Sequence, residues 1–136
     1  MRIDYFEVKS HFDGQSFSDG KSRRNSNLLH RIKEIIDPTD IKIFYPKNLF
    51  RDDKDLEVYL ILEDKILKGK VLENNIELTA LRLRDLNGLK CECISDREGI
   101  HRLTLQFKND EMIVFDGAED TNASWRYEFE NHIKDI

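Results

Sequence analysis

Two cysteines, two prolines, six glycines and one tryptophan are all that this 136-residue sequence holds of those residues. So little Gly and Pro excludes collagen-like and low-complexity chains. No apolar run approaches the roughly 20 residues a helix needs to cross a bilayer, which excludes a helical membrane protein. The start, Met1-Arg2-Ile3-Asp4-Tyr5-Phe6-Glu7, lacks the basic-then-apolar profile of a secretory leader. Together with the scarcity of cysteine this sets the expectation of a soluble, cytoplasmic protein. What is present is 39% hydrophobic and 36% charged residues, too apolar for a disordered chain. The length fits one domain of the usual roughly 100–200 residues. The expected organisation is therefore a single domain over 1–136.

Cys91 and Cys93 are spaced Cys-x-Cys. On a strand both point to one face, and a bridge between them is badly strained. Structural zinc needs four ligands, and neither a second Cys pair nor a closely spaced His pair exists. The expectation is two reduced cysteines lining the core, with no metal and no cofactor.

Charge is unevenly placed. The net charge is -5, and residues 91–136 carry 5 bases against 11 acids, so the last third holds the excess. Against that background Lys21, Arg23, Arg24, Arg31 and Lys33 form a cluster with no acid between Gly20 and Lys33. One reading is a solvated helix start. The other is a contact surface for a phosphate or an acidic partner, carried by Lys21, Arg23, Arg24 and Lys33. Arg31 is left out because it flanks an apolar stripe, where its stem can pack.

Along the chain, Phe6, Val8, Ser10 and Phe12 alternate and predict a strand over Ile3–Phe12. Asp13-Gly14 and Asp19-Gly20 predict turns. Asp13, Gln15 and Asp19 fall short of a calcium loop, which needs more oxygen ligands and a closing Glu. From Ser26 the stripe Leu28, Leu29, Ile32, Ile35, Ile36 predicts a helix, capped by Ser22, Asn25 or Ser26 and stopped at Pro38. His30 lies opposite the stripe. Strands are then predicted at Ile41–Tyr45, Leu56–Leu62, Ile66–Leu72, Ile76–Leu83, Leu89–Ile94, Leu103–Phe107 and Met112–Phe115. Connections of two to five residues make them an antiparallel meander. Gly69 inside the third predicts a bulge or bend. Trp125, Phe129, Ile133 and Ile136 form one stripe of a closing helix, with Asp120, Thr121 or Asn122 as its cap and a buried Trp125 as its anchor. His132 sits at the edge of that stripe.

Several segments in this layout resemble the pleckstrin-homology-like barrels of small uncharacterised bacterial families. Val58-Tyr59-Leu60-Ile61-Leu62-Glu63-Asp64-Lys65-Ile66-Leu67 is similar to their strand-turn-strand. Leu81-Arg82-Leu83-Arg84-Asp85-Leu86-Asn87-Gly88-Leu89 is similar to the end of their fourth strand. Phe107-Lys108-Asn109-Asp110-Glu111-Met112-Ile113-Val114-Phe115 and the helix after it resemble the final hairpin and helix. The resemblance covers 40–136. It implies an α+β, mainly β fold: a seven-stranded antiparallel barrel over 39–136 capped by its C-terminal helix, after a strand, loop and helix over 1–38. Many relatives of that fold bind inositol phosphates in the first inter-strand loop. Here Lys47, Arg51 and Lys54 are offset by Asp52, Asp53 and Asp55, so that role does not carry over. Leu49 and Phe50 of this loop are open to two readings, a partner anchor or packing against the N-terminal part.

No phosphate-binding Gly loop, zinc set or nucleophile elbow appears, and a domain acidic overall does not suit nucleic acid. The function expected is a non-catalytic binding module for a protein or peptide. The alternatives are a small enzyme whose site is scattered along the chain, and phosphate or lipid-headgroup binding at the basic cluster.

Overall fold

The computed structural model describes residues 2–72, 75–93, 95 and 99–136. It opens on two helices. The first, α1 (Tyr5–Gln15), occupies the place of the expected first strand. Tyr5, Val8 and Phe12 are its buried residues, a three-and-four spacing that the alternation of Phe6, Val8 and Phe12 disguises. Asp4 accepts from the Glu7 N–H at 2.8 Å and caps the helix, which makes Asp4-Tyr5-Phe6-Glu7 a start signal. Phe6 faces outward.

The second helix, α2 (Gly20–Ile35), starts earlier than expected because Asp19 is its cap, accepting from the Ser22 N–H at 2.6 Å. Ser22 and Asn25 are buried side chains of the helix rather than caps. Asp13-Gly14 is the last turn of α1, and Asp13 ties the two helices by accepting from Ser26 of α2 while Lys9 of α1 also donates to it. Tyr5 extends the tie by donating to the Leu29 carbonyl at 2.5 Å. Past α2, Pro38 begins a short 3-10 turn, Pro38–Asp40, capped by Asp37.

Seven strands follow: β1 (Ile43–Lys47), β2 (Glu57–Ile61), β3 (Lys65–Leu72), β4 (Asn75–Arg82), β5 (Leu86–Glu92), β6 (Arg102–Phe107) and β7 (Met112–Asp116). Each predicted strand is found, with ends moved by a few residues; Ile94 lies outside the described residues. Among those residues they form two antiparallel sheets, β1-β2-β3-β4 and β5-β6-β7, instead of one closed barrel. A 3-10 turn, Leu83–Asp85, separates β4 from β5 and breaks the meander. Asn87 and Gly88 lie within β5, whose register against β6 shifts between Leu86 and Gly88.

Residues of the four-stranded sheet alternate between two covered faces. One face, with Phe44, Val58, Leu60 and Leu67, lies under the α1–α2 pair, where the Tyr5 ring meets Phe44 edge-on at 5.8 Å. Gly69 belongs to this face. Its register is continuous with Val58 and Leu78, so there is no bulge. A Cβ there would stand 2.9 Å from Leu78 and 3.4 Å from Leu28 of α2, so the glycine lets the helix sit close. The other face carries Tyr45 and Tyr59, whose rings pack on Phe115 of β7 at 4.4 and 5.2 Å.

The closing helix, α3 (Arg126–Lys134), fills the space left between the sheets with Phe129 and Ile133, both fully buried. Trp125 precedes it in a 3-10 turn capped by Asn122, and is only half-buried, 5.3 Å from Phe50. It serves as a flank and not as the anchor. Phe50 also meets His11 of α1 at 5.2 Å and Leu49 is fully buried, so this loop packs inward. His132 is half-buried and bonded to the Phe44 carbonyl at 2.6 Å, and burial lowers its pKa. His30 is exposed. Within the described residues no helix is long and apolar enough to cross a membrane.

Candidate functional site

The sheets meet at one seam, where β1 ends and β7 begins to turn away. Tyr45 and Lys47 point the same way from β1, as alternate residues must. Tyr45 donates its hydroxyl to Asp120 Oδ2 at 2.6 Å, and the Asp116 N–H donates to the same oxygen at 2.7 Å. Lys47 Nζ donates to the Val114 carbonyl at 2.7 Å and stands 3.3 Å from Asp120 Oδ1, an ion pair out of hydrogen-bond alignment. Asp116 accepts from Arg102 Nε at 2.8 Å and from the Ala118 and Glu119 N–H groups.

These two aspartates are shifted in opposite directions. Burial pushes the Asp120 carboxyl up, and Lys47 with the two hydrogen bonds offsets only part of that. At Asp116 burial acts the same way, but the hydrogen bonds from Arg102, Glu119 and Ala118 outweigh it and hold the carboxyl below its ordinary value. Burial, then Asp120, drives the Tyr45 hydroxyl far upward, so it stays a neutral donor. The expected helix-cap role of Asp120 is replaced by this one.

Beyond the cluster, the outer face of the three-stranded sheet forms an open cleft of about 770 Å³. Thr104, Gln106, Val114 and the 54% exposed Met112 make its floor. It is lined by the bases Lys47, Lys54, Lys90 and Arg102, by the acids Glu92 and Glu119, and by the buried Asp116 and Asp120. The signs balance, so the cleft does not select a polyanion. Asp120 is 1% exposed and already bonded, so it braces the seam and is not placed to exchange a proton with a substrate. Among the described residues no group of three His, Cys, Asp or Glu is placed to hold a metal ion.

The basic residues singled out from sequence are dispersed. Lys21 donates to the Arg51 and Lys54 carbonyls at 2.5 and 2.8 Å and fastens the β1–β2 loop. Arg23 reaches the Ser16 carbonyl at 3.4 Å, while Arg24 and Lys33 are exposed. Lys33 sits in the last turn of α2, about 15 Å along the axis from Arg23 at 1.5 Å per residue. None of them lines the cleft.

Cys91 and Cys93 are free, and correct the core expectation: both are exposed, with their sulfurs 3.8 Å apart on one side of the chain. Their alternate positions are legible in the sequence. That β5 overhangs the core at this point is not, because it depends on where sheet one stops.

The cleft residues come from five separate stretches, 47–54, 88–92, 102–106, 112–116 and 119–120. No local motif marks them. The one local signal is the concentration of Asp and Glu after β7, read from sequence only as a helix start.

The sequence profile of DUF3908, described as a protein of unknown function, matches residues 4–131. No curated protein sequence matches the chain, and no solved structure does.

Proposed function

For this chain, which belongs to the DUF3908 family, we propose a non-catalytic binding module that takes an extended peptide segment of a partner protein in the cleft over β5–β7. One observation carries the reading. The cleft is open, has a floor of mixed polarity with an exposed Met112, and is ringed by charges of both signs that already pair with one another. Groups so engaged suit recognition of a mixed-charge segment more than bond making. The four-plus-three antiparallel strands and the closing helix support assignment to a pleckstrin-homology-like architecture opened at the β4–β5 corner. That assignment is analogy at the level of fold and adds nothing about the ligand.

The test is site-specific photocrosslinking in cells with benzoylphenylalanine at Met112. Phe17, 98% exposed on the helical side, serves as the reference position. A discrete protein adduct from position 112, absent from position 17 and abolished by Lys54→Glu, is the expected result. Equal labelling at the two positions overturns the cleft. The N-terminal basic cluster is tested in the same experiment: loss of the adduct in Arg23→Glu/Arg24→Glu, with the cleft intact, would move the contact to that face.

A further inference from the structure

Among the described residues two sheet edges have no neighbouring strand, those of β4 and β5. The other two edges meet at the seam through Lys47 on the Val114 carbonyl and the Leu49–Thr121 bridge. On β5, Leu89 is 62% exposed and Lys90, Cys91 and Cys93 are exposed as well. The Glu92 carbonyl accepts from His101 on the β6 side at 2.9 Å. Backbone groups alternate along a strand, so the N–H and C=O of Leu89 and Cys91 point to the free edge. An exposed edge of this kind is a template for another strand.

We propose that this edge pairs antiparallel with the same edge of a second copy, about a two-fold axis at Cys91. Of the registers centred on Leu89, Lys90, Cys91 and Glu92, only that one sets opposite charges across from each other. Lys90 then lies across from the second copy's Glu92, Glu92 across from its Lys90, and Leu89 across from its Cys93. Centring on Lys90 or on Glu92 sets like charges face to face, which directly opposed strand positions disfavour. Centring on Leu89 leaves both charges without a counterpart. Within one chain Lys90 and Glu92 are already 3.4 Å apart, on the cleft side, so pairing closes a ring of alternating charge on that side. Cys91 and its copy become a hydrogen-bonded pair with Cα atoms about 5.5 Å apart, within disulfide reach. The product is a six-stranded sheet with both clefts on one face. This inference does not depend on what the cleft binds.

The experiment is sedimentation equilibrium of the reduced protein over a range of concentrations, with Lys90→Glu and Glu92→Lys. Each variant opposes two like-charged pairs when it meets itself, so each is expected to weaken the dimer about tenfold or more. Mixed together they are expected to dimerise again, since glutamates at 90 and 92 of one then meet lysines at 90 and 92 of the other. A wild type that stays monomeric to about 1 mM, or a dimer indifferent to both changes, overturns the proposal. Failure of the mixture to recover does so too.

A second readout fixes the register. With oxidised glutathione, one Cys91 thiolate displaces glutathione thiolate from the disulfide, and the second copy's Cys91 thiolate then displaces the other. The net change is two protein thiols and one glutathione disulfide to one protein disulfide and two glutathione thiols. Cys93→Ser is expected to cross-link faster than Cys91→Ser; equal rates reject the axis at Cys91. Cross-linking rate and adduct formation at Met112 fail separately, so the two proposals remain distinguishable.

Discussion

Removing the hydroxyl of Tyr45 tests the buried cluster at the seam with the least disturbance of packing. In Tyr45→Phe the ring keeps its neighbours Phe115 and Phe129 at 4.4 and 5.4 Å, so no cavity term enters. What disappears is a 2.6 Å hydrogen bond to a carboxylate that is 1% exposed. A hydrogen bond to a charged group contributes about 1.5–3 kcal/mol, against about 0.5–1.5 kcal/mol for a neutral pair. That difference gives the substitution a pH signature. Asp120 is already raised by burial, and losing a donor raises it further, at about 1.4 kcal/mol per additional pK unit at neutral pH. A carboxyl raised on folding costs stability while ionised, and that cost vanishes as pH falls through its folded value. The destabilisation is therefore expected to be about 1.5–3 kcal/mol at pH 7 and to shrink on acidification. The carboxylates held low in the fold, such as Asp116 and Asp13, weaken both proteins together in acid and cancel in the difference. Urea titrations of the two proteins at several pH values measure it. A loss under about 0.5 kcal/mol, or one constant with pH, refutes the assignment of Asp120 as the ionised acceptor.

Two other substitutions separate anchor from flank. Phe129→Ala empties a fully buried site between the sheets and is expected to cost about 3–5 kcal/mol. Trp125→Ala, at a half-buried ring touching Phe50, is expected to cost clearly less in the same denaturation assay. Gly69→Ala forces a methyl to 2.9 Å from Leu78 and 3.1 Å from Val58, and is expected to destabilise by about 1–3 kcal/mol through overpacking. A Gly69→Ala protein as stable as the parent would show that α2 and β4 yield freely.

The strands were legible because each is short, bounded by turn residues, and apolar on at least one face. The N-terminal error has a physical source. In Ile3–Phe12, Phe6 supplies the alternation but is 59% exposed, while Tyr5, which lies off that alternation, is buried and bonded to Leu29. Sequence periodicity weights all aromatics alike, and only the tertiary partner decides which of two adjacent ones goes inside. The cysteines failed in the opposite way. Their side of the strand was correct, since Cys91 is aligned with buried Leu103, but a strand can extend past the layer that would cover it. Asp120 was seen as one of several acids near a helix start. Its partners Tyr45 and Lys47 are more than 70 residues away, beyond any local pattern.

The α1–α2 pair and sheet one are built from a continuous run, 5–82, and the second sheet with α3 from the run after it. A growing chain thus completes the helices and the first four strands while the later strands are still unmade. Until they arrive, the Tyr45, Tyr59 and Ile66 side of sheet one has nothing to cover it, and it is the side that ends up against Phe115. Sheet one exists first as an aromatic surface awaiting a lid. Truncations or stalls after Arg82 leave that surface bare, and the second half of the molecule acts toward the first as an intramolecular chaperone.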